Sequence, residues 1–169
     1  MGSASGLQST ATWEASGDAE LDRFGAAVAG VGDIDGDGRD DVVVGAFRFT
    51  DVQVRQGRAF LFRGAGTSVE TSPSWSFEGT DPGENLGASI SAAGDVNGDG
   101  IDDVLIAAPG YSDGFANNSG RAHLFLGSAS GLGDTPNWTE APSWSQASFG
   151  LSMASVGDVN GDGYDDVVI

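Results

Sequence analysis

The chain of 169 residues contains no cysteine and no long apolar run. Without cysteine there is no disulfide framework, and thiols give no indication of the redox compartment. A transmembrane helix needs about 18 or more consecutive apolar residues, and no such run occurs. Residues 1–20 lack the basic start and apolar core of a signal peptide. We therefore expect no membrane insertion by the sequence as it stands.

Positive charge is also scarce, because the chain has no lysine and its 7 basic residues are all arginine. They face 25 acidic residues, which gives a formal net charge of -18. Nucleic acids and anionic membranes are bound by clustered lysine and arginine, so the composition argues against both partners. Cations are the natural partners of such a chain.

More than half of the acidic residues lie in three short segments, here called the first, second and third aspartate loops. They are residues 33–41 (DIDGDGRDD), 95–103 (DVNGDGIDD) and 158–166 (DVNGDGYDD). The negative charge is therefore local and is not a diffuse solubilising coat.

The aspartate loops belong to a repeat of about sixty residues. Asp33, Asp95 and Asp158 are 62 and 63 residues apart, and a fixed period of this kind indicates a repeat architecture. The segments GRAFLF (57–62) and GRAHLF (120–125) also match. We interpret residues 1–169 as one repeat domain, with repeat cores at about 24–79, 86–140 and 149–169 and the tail of a preceding unit at 2–13.

Each period reads as four short strands. In the first period they are FGAAVAGV (24–31), DVVVGA (41–46), GRAFLF (57–62) and SWSFEG (74–79). Short apolar runs bounded by Gly, Asp, Asn and Pro indicate strands, and no segment has a sustained helical periodicity. The prediction is an all-β fold, a β-propeller of four-stranded antiparallel blades.

The number of repeats does not complete a propeller. Closed propellers have roughly four to eight blades, whereas this chain holds two full periods and part of a third, about 2.7 blades. We interpret it as a segment of a longer propeller. A ring assembled from several chains is the alternative, and either arrangement predicts self-association through open blade edges.

The spacing within each aspartate loop indicates a cation site. Acidic or amide side chains stand at positions 1, 3 and 5, glycine at 6 and aspartate at 9. Alternate side chains can turn to one side of a tight loop, and the carbonyl of position 7 can join them. Such an oxygen cage suits Ca²⁺, which accepts six to eight oxygen ligands in irregular geometry, better than Mg²⁺.

A simple hairpin turn and an EF-hand are the alternatives to such a cation site. Asp-Gly and Asn-Gly are common in hairpin turns, but a turn does not require four or five aspartates, which repel one another when no cation is bound. An EF-hand requires a glutamate at position 12 and flanking helices. Position 12 here is Val44, Ile106 or Ile169, each in a β-branched run, so the EF-hand is excluded.

The order Phe-Gly, aspartate loop and then Gly-Ala or Ala-Ala-Pro resembles the FG-GAP repeat of integrin α-subunit β-propellers and of many bacterial surface proteins. The resemblance covers nearly the whole chain. Leu86 replaces the phenylalanine in one repeat, and residues 46–48 (AFR) replace the proline-containing turn in another. The resemblance implies three Ca²⁺ sites whose ligands are Asp33, Asp35, Asp37, the Arg39 carbonyl and Asp41; Asp95, Asn97, Asp99, the Ile101 carbonyl and Asp103; and Asp158, Asn160, Asp162, the Tyr164 carbonyl and Asp166. The remaining aspartates, Asp40, Asp102 and Asp165, are expected in the outer sphere or in solvent.

No residue pattern indicates catalysis, and we predict that the chain is not an enzyme. The single histidine, His123, takes the place of Phe60 in a third strand and is expected to be packed there. Trp13, Trp75 and Trp138 fall at equivalent fourth-strand positions, where packing between blades explains them better than sugar stacking does.

The predicted function is recognition or adhesion of a protein or glycan by a calcium-binding propeller segment of an extracellular or cell-surface protein. The aspartate loops occupy one face, and longer, more varied loops occupy the other. Exposed aromatic and arginine side chains are favoured binding anchors, so partner binding is predicted at Phe47, Arg48, Tyr111 and Phe115 on this second face. An ancillary domain of a secreted hydrolase or lyase, and a structural spacer, are the alternatives.

Overall fold

The computed structural model describes residues 2–3, 6–7, 10–114 and 117–169, and their regular structure is almost entirely β-strand. A 3₁₀ turn at Glu20–Asp22 is the one helical element in these ranges. The strands are β1 (Gly2–Ser3), β2 (Gly6–Leu7), β3 (Phe24–Gly32), β4 (Asp41–Ala46), β5 (Arg58–Phe62), β6 (Gly64–Ala65), β7 (Ser68–Val69), β8 (Trp75–Glu78), β9 (Ser89–Gly94), β10 (Asp103–Ala108), β11 (Arg121–Phe125), β12 (Trp138–Glu140), β13 (Ala154–Gly157) and β14 (Asp166–Val168).

Two four-stranded antiparallel sheets form the body of the molecule. Their strand orders are β3-β4-β5-β8 and β9-β10-β11-β12. The order of strands in each sheet is therefore their order along the chain, apart from the short strands β6 and β7, which lie between β5 and β8 and pair with each other. A third sheet contains β13 and β14, and two further hairpins pair β1 with β2 and β6 with β7. The prediction of four-stranded propeller blades is confirmed, and the described sheets do not close into a ring. No helix among the described residues is long and apolar enough to cross a membrane.

The second strand of each full blade carries the core. Val43 and Val44 in β4 are at most 2% exposed, and every residue of β10 is buried. Both faces of these strands are covered, which explains their continuous β-branched and aliphatic sequences. The first strands are instead rich in Gly and Ala, and β3 lies beside β9. Small side chains allow the first strands of consecutive blades to approach at the narrow side of each wedge.

Each blade is joined to the next by a bridge between the residue before its own third strand and a residue before the first strand of the next blade. Gly57 forms a parallel bridge with Leu86, and Gly120 forms the equivalent bridge with Phe149. A Cβ on Gly57 would lie 2.2 Å from the Leu86 carbonyl oxygen, so glycine is required for this approach. Leu86 is fully buried in the same place that phenylalanine takes in the other repeats.

The turn after the second strand does not depend on proline. The Phe49 N–H donates to the Ala46 carbonyl at 2.9 Å, and the Tyr111 N–H donates to the Ala108 carbonyl at 3.1 Å. The first of these turns lacks the proline of the second, yet it has the same closing hydrogen bond.

Trp75 packs one blade against the next, as the sequence predicts, whereas the equivalent Trp138 is 41% exposed. The Trp75 ring meets Phe125 edge-on with centroids 5.1 Å apart, and its Nε1–H donates to the Gly133 carbonyl at 3.0 Å. Trp13 repeats both contacts one period earlier, with Phe62 at 5.3 Å and with the Glu70 carbonyl at 2.8 Å. Trp13 differs from the expectation in lying outside any strand. Its ring contacts therefore do not depend on pairing in a fourth strand.

The two ends of the blades have different chemistry. One end carries the aspartate loops together with the segments that follow the third strands. At the other end, Arg121 forms an ion pair with the fully buried Glu84 and lies 3.9 Å from the centroid of the Tyr111 ring. Burial raises the pKa of Glu84, and the charge of Arg121 lowers it in part. The predicted division into an aspartate face and an opposite face is therefore present.

Candidate metal centre

The first aspartate loop brings three carboxylates together. One oxygen from each of Asp33, Asp35 and Asp37 lies within 4.8 Å of the others. Oxygens bound to Ca²⁺ at about 2.3 to 2.6 Å can be at most about 5.2 Å apart. The spacing of these three oxygens therefore fits a single calcium coordination sphere.

The backbone of the loop is wrapped around the aspartate at position 1. The Asp33 Oδ1 accepts from the Asp37 N–H at 3.0 Å, and its Oδ2 accepts from the Gly38 N–H at 2.7 Å. Gly38 has a φ of 85°, in the left-handed region that glycine adopts without strain. This turn directs the side chains at positions 3 and 5 toward the same side as Asp33.

The second and third loops have the same internal hydrogen bonds. Asp95 accepts from the N–H groups of Asp99 and Gly100 at 3.1 and 2.8 Å. Asp158 accepts from Asp162 and Gly163 at the same two distances, and these backbone hydrogen bonds lower the pKa of Asp158, the one from Gly163 most strongly. Asn97 and Asn160 stand at position 3, and each accepts from the N–H of position 5. All three loops therefore share these hydrogen bonds from positions 5 and 6.

In the first and second loops the aspartate at position 9 is buried and bonded to two backbone N–H groups, whereas Asp166 in the third loop is half-buried and accepts from the Val159 N–H. Asp103 is fully buried, and its two oxygens accept from Val96 at 2.9 Å and from Gly127 at 2.8 Å. Asp41 accepts likewise from Ile34 and Gly64. Burial raises the pKa of Asp41 and raises that of Asp103 to about 6. Position 9 thus ties the loop to the segment after the third strand, and its part in binding a metal stays a prediction.

The residues at position 7 are predicted to bind the cation through their backbone carbonyl oxygens. Their N–H groups each donate to the position-5 carboxylate, at 2.9 Å from Arg39, 2.9 Å from Ile101 and 3.0 Å from Tyr164. This hydrogen bond holds position 7 directly after the carboxylate turn. Coordination by the three carbonyls also stays a prediction.

Arginine side chains contact the carboxylates of the first loop. Arg39 pairs with Asp37 at 2.9 Å, and the Arg63 Nε lies 3.2 Å from Asp35 Oδ2. The second repeat has Ile101 and Leu126 at the corresponding positions. The first loop is therefore the one in which guanidinium groups already neutralise part of the charge.

The donor set fits a hard divalent cation in each loop. Carboxylate, amide and carbonyl oxygens are the ligands that Ca²⁺ takes, and nitrogen or sulfur ligands, which transition metals favour, are absent from the loop sequences. When bound, the cation would supply positive charge at the point where the loop's negative charges converge.

The outer-sphere place expected for the aspartates at position 8 stays a prediction, but two of them have defined contacts. Asp102 and Asp165 each bind the backbone of the preceding loop. The Asp33 N–H donates to Asp102 Oδ2 at 2.9 Å, and the Asp95 N–H donates to Asp165 Oδ2 at 3.1 Å. The doubled aspartate and the glycine before each loop are the sequence signals of this contact, and they could not be interpreted without knowing which loops are adjacent. Asp40 at the same position is exposed.

His123 is packed, as expected. It is 4% exposed, its Nδ1 lies 2.9 Å from Thr139 Oγ1, and its ring meets Phe77 edge-on. Burial lowers its pKa to about 4, so the imidazole is neutral at physiological pH.

The predicted partner-binding residues have different surroundings. Phe47 and Arg48 are half-buried, with the guanidinium 5.5 Å from the ring centroid. Tyr111 is half-buried, contacts the core and is partly covered by Arg121. Phe115 lies outside the described residues.

Comparison with known proteins places these features in a family. The FG-GAP repeat model matches residues 24–62, 86–125 and 149–169. The chain is similar to integrin alpha-IIb of Mus musculus, at 33% identity over 86% of the chain, and to integrin alpha-4 of Xenopus laevis, at 32% identity over 96%. It is also similar to integrin alpha-PS2 of Drosophila melanogaster, at 34% identity over 82% of the chain. The chain spans 14%, 16% and 10% of the lengths of these three relatives.

Proposed function

The chain belongs to the FG-GAP repeat family, and on this basis we propose that it is a calcium-binding propeller segment of an extracellular or cell-surface protein. Its role would be recognition or adhesion of a protein or glycan ligand, without catalysis. The similarity to integrin α chains over most of the chain supports the recognition role.

The observation that carries the calcium assignment is the convergence of Asp33, Asp35 and Asp37 within 4.8 Å. Carboxylates held this close repel one another, and the guanidinium groups of Arg39 and Arg63 offset this repulsion only in part. The shared hydrogen-bond pattern extends the proposal to all three loops, with the fifteen ligand residues given above and one ion in each loop.

The blade assignment is part of the same proposal. We assign blades to about 24–79 and 86–140, a third to 149–169, and the tail of a preceding blade to 2–13. The contacts of Trp13 with Phe62 and Glu70, which repeat those of Trp75 with Phe125 and Gly133, support the last assignment.

The proposed extracellular location follows from the calcium affinity expected for these sites. Extracellular calcium modules bind with dissociation constants of roughly 10⁻⁴ to 10⁻³ M. Such sites fill outside cells and remain largely empty in the cytosol.

Calcium titration of the 169-residue chain tests the assignment. Calorimetry should detect three sites with much weaker uptake of magnesium, since Mg²⁺ requires a tighter octahedral cage. A hundredfold excess of calcium over the dissociation constant should stabilise the fold by about 2.7 kcal/mol per site. Asp37→Ala should remove one ion. Asp40→Ala is the matched control, because Asp40 is exposed and its side chain forms no hydrogen bond or ion pair with the described residues.

The assignment fails if calorimetry detects no calcium uptake or if thermal unfolding is indifferent to chelator. It also fails for the first loop if Asp40→Ala removes an ion and Asp37→Ala does not.

Ligand recognition is proposed on the face opposite the aspartate loops, at Phe47, Arg48, Tyr111 and Phe115. Arrays of proteins and glycans would identify a ligand, and alanine at Phe47 and Arg48 should then weaken its binding. The assignment is wrong if these variants bind normally while changes on the aspartate face abolish binding. The absence of any ligand would favour the structural spacer, and catalytic residues elsewhere in a longer parent protein would favour the ancillary domain of a hydrolase or lyase.

A further inference from the structure

The aspartate loops of consecutive blades are joined directly to one another. The Asp33 N–H donates to Asp102 Oδ2 at 2.9 Å, and the Asp102 N–H donates to the Asp33 carbonyl at 3.2 Å. Asp95 and Asp165 form the same reciprocal pair at 3.1 and 3.0 Å. The junction therefore occurs twice, with the same atoms and nearly the same distances.

Glycine makes room for each junction. A Cβ on Gly32 would lie 2.1 Å from Asp102 Oδ2, and one on Gly94 would lie 2.0 Å from Asp165 Oδ2. Both glycines have a positive φ, 77° and 75°, which other residues adopt only with strain. The glycine that precedes each of these loops is thus explained by the carboxylate of the next loop.

A second contact connects the same loops. A Cβ on Gly36 would lie 3.6 Å from Ile101 Cδ1, and one on Gly98 would lie 2.7 Å from the ring of Tyr164. The side chain at position 7 of one loop therefore lies against the glycine at position 4 of the preceding loop. In addition, the Ser128 N–H donates to the Ile34 carbonyl at 3.1 Å.

The contacts between loops hold the aspartate at position 1, around which the backbone of each loop is wrapped. Asp33 receives the N–H groups of Asp37 and Gly38, and Asp102 holds the Asp33 peptide from the other side. Asp102 itself lies between Ile101 and Asp103, the predicted ligands at positions 7 and 9 of the second loop. A cation that orders the second loop would also order the group that holds the first.

We infer that Asp102 and Asp165 are positioning residues that couple cation binding between consecutive loops. Each holds the first ligand of the preceding loop in its binding geometry, so occupancy of one loop raises the affinity of the loop before it. This inference rests on the proposed calcium binding. It goes beyond that proposal because it concerns residues outside the ligand set and predicts cooperative binding.

Calcium titration followed by two-dimensional NMR tests the coupling loop by loop. The amides of Gly38, Gly100 and Gly163 serve as reporters of the three loops. In Asp102→Ala, the first loop should lose about tenfold in affinity, the effect expected for removal of a charge-assisted hydrogen bond. The third loop should keep its affinity. In Asp165→Ala, the weakened loop should be the second.

Three variants separate positioning from general loss of structure. Asp102→Asn keeps an oxygen acceptor and should restore most of the first loop's affinity. Asp40→Ala changes the same position of the first loop, where no contact with another loop is formed by the described residues. It measures the effect of losing one nearby negative charge alone, and Asp102→Ala should lower the affinity of the first loop by more than Asp40→Ala does. Asp99→Ala removes a ligand of the second loop and should lower the affinity of the first, because thermodynamic coupling between the sites is reciprocal.

Hydrogen exchange of the Asp33 amide in calcium-free protein tests the junction independently of the metal. Asp102→Ala should accelerate this exchange. Unchanged exchange overturns the junction, and accelerated exchange with unchanged first-loop affinity overturns the positioning role. A wild-type chain that takes up no calcium overturns the proposed function, and with it the coupling of cation sites. The inference alone fails if wild-type protein binds calcium and Asp102→Ala or Asp99→Ala leaves the first loop unaltered.

Discussion

At the scale of single residues, the first aspartate loop differs from the second in its arginines. Arg39 and Arg63 contact the carboxylates of Asp37 and Asp35, and both would compete with a cation for those oxygens. The second loop has neither arginine, although it also has one carboxylate fewer, since Asn97 replaces Asp35. The arginines and the extra aspartate thus act in opposite directions on the affinity of the first loop.

Replacing Arg63 separates these effects. Arg63→Leu introduces the residue type that the second repeat has at Leu126, and it should raise the calcium affinity of the first loop by about fivefold through loss of one nearby positive charge. Site-resolved calcium titration measures the change. Arg48→Leu removes the same charge at the opposite end of the blade and should have little effect. Equal gains in both variants would indicate a general charge effect without local competition.

At the scale of structural elements, the contact between one blade and the next depends on a tryptophan. Trp75 in β8 packs on Phe125 in β11 and donates to the Gly133 carbonyl. The equivalent Trp138 in β12 is 41% exposed. Trp75 and Trp138 therefore take the same position in the repeat, but only Trp75 packs against a following blade among the described residues.

Alanine substitution should reveal this difference. Trp75→Ala removes aromatic contact and a hydrogen bond between blades, and it should lower the free energy of unfolding by about 2 kcal/mol or more. Trp138→Ala should change it by less than about 0.5 kcal/mol, as for an exposed residue. Urea unfolding of the calcium-loaded chain measures both. Similar losses would contradict the role of Trp75 as a stabilising contact between blades.

At the scale of the whole molecule, the third sheet is the place where association is expected. Among the described residues, β14 pairs only with β13, and Val156 and Val168 in these strands are 42% and 57% exposed. An unpaired strand edge with apolar side chains invites pairing with another chain. The molecule therefore has an acidic face, which repels the same face of another copy, and an open strand edge at β14, which can pair with another chain.

Sedimentation velocity should detect concentration-dependent association of the 169-residue chain. Val168→Lys places a charge at the edge and should suppress association. Val52→Lys is the control, because Val52 is 81% exposed in the loop between β4 and β5, away from the edge. A compact monomer at all concentrations would contradict the prediction, as would equal suppression by both lysine variants.

The repeat, the four strands of each full blade and the composition of the aspartate loops can be read from the sequence alone. These features depend on short-range spacing. Positions 1, 3 and 5 of a loop are close in the chain, so the convergence of Asp33, Asp35 and Asp37 follows from one tight turn. Continuous apolar runs such as DVVVGA likewise predict buried strands from local pattern alone.

The contacts between loops and between blades, in contrast, are visible only in the folded chain. Asp102 was indistinguishable from Asp40 by sequence, because both stand at position 8. Among the described residues, Asp102 meets a preceding loop, as Asp165 does, and Asp40 does not. Arg63 reaches Asp35, and Trp13 packs on Phe62 without belonging to a strand, through contacts between residues more than twenty positions apart. The Arg63 contact depends on how the strands of one blade pair, whereas the contacts of Asp102 and Trp13 depend on how blades stack. The periodicity of a single blade contains no information about the distance to its neighbour.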